Sequence, residues 1–204
     1  MLFLAGLLSS IARADIISDF SQVEEIWGAE IAPDGNSVAL GCREGSERAV
    51  CIFSLVEEKP PARFPAPKDA KIVDFYWASP KHAIIVADYV ENTALSDGMQ
   101  EIRFTRGIAY NIETNKSAVL MNNSLGFSNT AYAMSLALDN PDKILMAAFA
   151  SFDSNQTGTR IRRGDSEDVY IAYNVDLDSG TARRRDIYRQ SVVSIVFDGQ
   201  ANDI

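Results

Sequence analysis

Few residues of this chain could do chemistry, and they are widely spaced. His82 is its one histidine. It follows Ser79-Pro80-Lys81 and precedes an apolar run. Paired with a serine and an aspartate, a histidine can act as general base to a hydroxyl. That arrangement needs a carboxylate to orient the ring and a serine raised on a sharp strand-to-helix elbow. The chain has no Gly-x-Ser-x-Gly segment and no helical stretch to support one. His82 therefore reads as a structural or solvent-facing turn residue, and no catalytic residue is assigned. Asp176-x-Asp178-x-Gly180 spaces two carboxylates as a calcium loop does, but it offers too few oxygens and lacks the closing Glu, so it reads as a turn. Two thiols and one imidazole are too few for a metal site, and no glycine loop could cradle a phosphate. No metal and no cofactor are expected.

Cys42 and Cys51 are the only cysteines. They flank a hairpin. If Gly45-Ser46-Glu47-Arg48 is its loop, Cys42 faces Cys51 directly across the ladder, near enough for a disulfide. An exported protein permits the bond. The other reading is two reduced thiols packed as small hydrophobes. The basic clusters Arg160, Arg162, Arg163 and Arg183-Arg184-Arg185 sit beside acids and carry no interleaved aromatics, which suits a solvated loop or an edge strand. Arg163-Gly-Asp165 is too short a match to carry an adhesion role. Asn115-Lys-Ser, Asn122-Asn-Ser and Asn155-Gln-Thr are glycosylation sequons that matter only in a glycosylating host.

The elements around these residues read as strands and tight turns. Trp27 to Cys42 is strand, turn, strand. Pro33-Asp34-Gly35-Asn36 supplies a fixed φ, a side chain that bonds its own backbone, and a residue that accepts positive φ. Ala49–Leu55 returns as a third strand, and Arg63-Phe64 opens a short outer one. Pro60, Pro61, Pro65 and Pro67 suit an edge. A second unit follows: strands at Ile72–Trp77, Ala83–Ala87, Gly107–Ile112 and Ser117–Met121, with a long polar loop at 88–105. A third has strands at Ala133–Leu138, Ile144–Phe149, Val169–Val175 and Thr181–Tyr188, with a long polar loop at 150–168. Ser191–Phe197 reads as the opening strand of one more unit. Helical periodicity is nowhere sustained.

Ile108-Ala-Tyr-Asn111 and Ile171-Ala-Tyr-Asn174 are identical and stand 63 residues apart, while the turn prolines Pro80 and Pro141 stand 61 apart. The registers agree within two residues. Four antiparallel strands per unit, apolar on both faces, is the signature of a β-propeller blade covered by neighbours on either side. The expected fold is all-β: about three four-stranded blades plus the start of another, an incomplete propeller over residues 15–204. The two long loops fall on one rim, where binding or docking would sit.

The chain has 204 residues, 47% hydrophobic and 23% charged, with a net charge of −9. That balance argues against nucleic acid or an anionic membrane as a partner. Leu2–Ile11 is an apolar run followed by Ala12-Arg13-Ala14. Residues 1–14 thus read as a signal peptide cleaved before Asp15, although no basic residue precedes the run; the other reading is an N-terminal strand or helix packed on the domain. The run is too short to span a bilayer, so a periplasmic or secreted location is expected, with no membrane span after the signal is removed.

Ile31-Ala-Pro-Asp-Gly-Asn-Ser-Val-Ala-Leu40, Phe75-Tyr-Trp-Ala-Ser79 and Asp168-Val-Tyr-Ile-Ala-Tyr-Asn-Val-Asp-Leu-Asp-Ser-Gly180 together resemble the N-terminal propeller of the prolyl oligopeptidase family of serine peptidases. The likeness runs roughly from Val23 to Gly199. It implies blades that cover the active site of an α/β-hydrolase domain and restrict access to short peptide substrates. The family's catalytic residues belong to that hydrolase domain, so none carries over. Pro-Asp-Gly blades also occur in periplasmic propellers of the Tol-associated type, which implies the alternative of a stand-alone binding module. An open propeller has unpaired blade edges, so self-association is expected.

Overall fold

The computed structural model describes residues 26–44, 47–95, 98–123, 131–136, 140–153 and 166–189. The leader expected at 1–14, Arg160 to Asp165, the Asn155 sequon and the strand expected at Ser191–Phe197 lie outside them. The described chain is all-β, with twelve strands: β1 (Gly28–Ile31), β2 (Ser37–Glu44), β3 (Glu47–Ser54), β4 (Ala62–Pro65), β5 (Ala70–Ser79), β6 (His82–Leu95), β7 (Gly98–Asn111), β8 (Lys116–Val119), β9 (Ala133–Ser135), β10 (Lys143–Asp153), β11 (Ser166–Asp176) and β12 (Ala182–Arg189). They form three four-stranded antiparallel sheets, each a meander of four consecutive strands.

The turns are built as their residues dictate. At the β1–β2 turn the Asp34 carboxylate accepts the Asn36 N–H at 3.0 Å, and Gly35 sits at φ +73°. At the β11–β12 turn Asp176 accepts from the backbone and hydroxyl of Ser179, and Gly180 sits at φ +71°.

The sheets stack face on face, with the second in the middle. Alternate residues of β6 point opposite ways. Ala83 and Ile85 join Ala39, Val50 and Ile52 of the first sheet in one apolar cluster. Ile84 joins Ile144, Met146, Ile171 and Tyr173 of the third sheet in another. The repeated tetrapeptides hold like places, each in the third strand of its sheet. Tyr110 packs toward the first sheet and Ala109 toward the third. Ile171 and Tyr173 pack toward the second sheet in the same sense. Polar side chains pin the junctions. Trp77 Nε1–H donates to Glu30 O at 3.0 Å between the first two sheets. Tyr76 donates to Ala131 O at 3.1 Å between the second and the chain entering the third.

Two expectations are corrected. The segment 88–105 is not a loop. β6 and β7 pair without interruption from His82↔Asn111 out to Leu95↔Gly98, so the hairpin runs on as a two-stranded ribbon beyond its sheet. Tyr89 stacks on Phe104 across it at 5.4 Å, and Thr105 donates to Asp88 at 2.8 Å. Its polarity misled because a ribbon clear of the neighbouring sheets buries neither face. Leu95↔Gly98 is the outermost described pair, and Gly98 sits at φ +122°. Likewise β10 runs to Asp153 and β11 starts at Ser166, so the expected loop at 150–168 is shortened from both ends.

The second correction is the register across the cysteines. Cys42 stands opposite Ala49, and Cys51 opposite Leu40. The strands reach Glu44 and Glu47, two residues tighter than a four-residue loop allows. A shift of two keeps every side chain on its expected face. The cysteines do bridge, diagonally, with Cα atoms 5.9 Å apart. The crosslink closes a short loop, and chain entropy gives it about 2–3 kcal/mol of stability. Urea melts with and without dithiothreitol should differ by that amount, and Cys42→Ser/Cys51→Ser should match the reduced protein.

Candidate functional site

The one histidine lies where β6 begins. Its ring is fully buried and held on both sides. Nδ1 is 3.0 Å from Ser79 Oγ at the end of β5, and Nε2 is 2.9 Å from Asp178 Oδ1 in the β11–β12 turn. A carboxylate only accepts, so Nε2 carries the hydrogen; in the neutral ring Nδ1 then accepts the Ser79 O–H. Asn111, at the end of β7, donates from Nδ2 to the same Asp178 oxygen at 2.8 Å. Its own Oδ1 accepts the Glu113 and Thr114 N–H groups, which fixes the amide orientation.

The order serine, histidine, aspartate matches a catalytic relay, but the surroundings do not. Ser79 is 3% exposed and His82 0%, so no substrate carbonyl can reach the hydroxyl. The cleft of about 350 Å³ on this rim is lined by Pro80, Lys81, Glu113 and Pro141, and by neither Ser79 nor His82. The set is a polar clamp between the turns of the second and third sheets. His82 is thus structural, one of the two readings its position allowed. Asp178 belongs to a turn, as expected, and takes part in the clamp.

The clamp has flanking supports. Lys81 pairs with Asp142 at 2.7 Å, joining the β5–β6 and β9–β10 turns, and its hydrogen bond to Asp142 raises the ammonium's pKa. Asn123 exchanges hydrogen bonds with the backbone of Ala182 at 2.7 and 3.1 Å. Gly180 lies against Val119, where a Cβ would fall on the Val119 carbonyl oxygen.

The His82 hydrogen bond, then that of Asn111, hold the Asp178 carboxyl below its usual range. A carboxylate with a depressed folded pKa stabilises the fold above its unfolded pKa, about 3.9. That contribution is lost as pH falls through the folded value. Asp178→Asn should therefore melt below the wild type at neutral pH. The gap should narrow as pH falls under about 4. Thermal melts across that range check it.

In comparisons with known proteins, no family model matches the chain and no curated protein shows significant similarity to it. Among the described residues, no helix is long and apolar enough to cross a membrane. That and the disulfide are compatible with a periplasmic or extracellular location.

The opposite rim carries a larger concave feature. A cleft of about 610 Å³ lies between the first two sheets, within the about 300–1,000 Å³ typical of ligand clefts. The tip of the β2–β3 hairpin forms one wall, the base of the β6–β7 ribbon the other, and the link from Pro65 to Ala70 lies between them. Its residues come from four separate stretches of the chain, so nothing local in the sequence marks them as neighbours. The expectation that the 88–105 segment lies on a binding rim was the only signal for it.

Proposed function

We propose that the three sheets are successive blades of an incomplete β-propeller. The chain acts as a non-catalytic scaffold of an exported serine peptidase of prolyl oligopeptidase type, gating or positioning peptides for an α/β-hydrolase domain. The observation that carries this reading is the middle sheet, apolar on both faces and packed in the same sense against each neighbour. A β-sandwich leaves the outer face of each of its sheets to solvent, whereas stacked blades cover both. The inaccessible Ser79 and His82 support a scaffold without its own catalytic centre.

A second reading is a stand-alone binding module of the Tol-associated type. The 610 Å³ cleft favours it, since both walls and the link between them belong to this chain. The reading frame beyond codon 204 separates the two: a Gly-x-Ser-x-Gly elbow there supports the peptidase, an unrelated gene the module. Either way, a fluorophosphonate probe should leave the purified chain unlabelled. Labelling at Ser79 would overturn the scaffold role.

A further inference from the structure

We propose that the cleft between the first two sheets binds an extended acidic peptide. The chain as a whole is acidic, at −9, yet this cleft gathers four cations: Arg48, Lys68, Lys71 and Arg103. Lys68 and Lys71 make no salt bridge to any described carboxylate. Arg103 pairs with Glu101 at 3.2 Å, but the two side chains are 78% and 53% exposed. Such an exposed pair is weak and yields readily to a competing carboxylate. Arg48 lies 4.8 Å from the Trp27 ring centre, which positions the guanidinium without neutralising it.

The link is bent to bring the lysines together. Ala70 N–H donates to Pro67 O at 3.1 Å, and Asp69 between them sits at φ +60°, a left-handed conformation that costs a non-glycine residue energy. Lys68 and Lys71, on either side, both line the cleft. Tyr89 and two prolines add apolar surface against which a chain can lie.

The cleft also holds Glu47, Asp69 and Asp88. These acids decide the ligand class. A phosphodiester backbone offers only anions and would be repelled by them and by the chain's net charge. A polypeptide offers carboxylates for the cations and N–H donors for the acids. The inference rests on the scaffold reading only in that the chain binds rather than reacts. Probe labelling tests that reading, and peptide titration tests this one, so the two can fail separately.

The test is fluorescence anisotropy on the full chain. The probes are a fluorescein-labelled peptide rich in Glu and Asp with one Phe, its Lys-substituted counterpart, and an oligothymidylate. The acidic peptide alone should bind, and its affinity should fall as salt rises from about 50 to about 300 mM. Lys68→Glu/Lys71→Glu should weaken binding about tenfold or more. Lys68→Gln/Lys71→Gln should act in the same direction and guards against an effect of charge reversal on folding. Both lysines are exposed, so the melts should be unchanged. Equal binding of both peptides, oligothymidylate binding as tight as the acidic peptide's, no binding of the acidic peptide, or lysine variants that bind like the wild type would each overturn the proposal.

Discussion

Gly180→Ala should be among the most damaging single substitutions in this chain. Two effects add. Gly180 sits at φ +71°, where an L-residue costs about 1–2 kcal/mol. The new methyl would also overlap the Val119 carbonyl oxygen and stand 3.2 Å from Asn122 Nδ2. A backbone oxygen cannot rotate away, so the β11–β12 turn must retreat from β8. Overpacking of that kind costs about 1–3 kcal/mol. The retreat would also strain the hydrogen bonds from Asn122 to Ser179 O and from Asn111 to Asp178. The expected loss is about 2–5 kcal/mol, or roughly 10 °C in Tm. Gly35→Ala is the control. Gly35 has a matching φ of +73° but nothing within 4 Å of its would-be Cβ. It should lose only the conformational part, about 1–2 kcal/mol. Equal losses at the two sites would show that the close approach of the second and third sheets carries no energetic weight.

His82→Ala is the second large effect. The substitution empties a fully buried site and strands the Ser79 hydroxyl, itself 3% exposed. It also removes the donor that Asp178 accepts across the sheet junction. Truncation plus an unsatisfied buried hydroxyl should cost about 2–4 kcal/mol. Ser79→Ala should cost less, about 1–2 kcal/mol, because only the Nδ1 acceptor loses its partner. A double-mutant cycle between His82 and Asp178 isolates the clamp itself. A coupling energy near zero would mean that His82 serves by filling space rather than by bonding.

Local chemistry made much of the fold legible. Pro33-Asp34-Gly35 marked its turn. The unbroken apolar run Ala83–Ala87 marked a strand with two apolar faces. The repeated Ile-Ala-Tyr-Asn marked equivalent third strands. The ribbon at 88–105 escaped because polarity was weighed above pairing: Tyr89 and Phe104 sit at matched distances from Leu95 and Gly98, and that symmetry was the available clue. The diagonal bridge escaped because a four-residue loop was assumed, whereas the pairing runs on to Glu44↔Glu47.

The clamp was the least legible feature. His82 and Asp178 lie 96 positions apart, and each taken alone looks like an ordinary turn residue. The repeat did place both turns on one rim of adjacent sheets. That neighbourhood could have paired a buried imidazole with a carboxylate, but it could not supply the distance or the burial.

A sheet with no bare side leaves little room for sequence to drift. Most substitutions in the body of the second sheet must suit two neighbours at once, so change is driven outward to the hairpin tips. The hairpins already differ in reach: the first sheet's central pairing stops at Glu44↔Glu47, while the second's runs on for several more pairs, to Leu95↔Gly98. Relatives of this chain should therefore vary most in the reach of these arms and least in the small residues, such as Ala83 and Ala109, that set the spacing between layers.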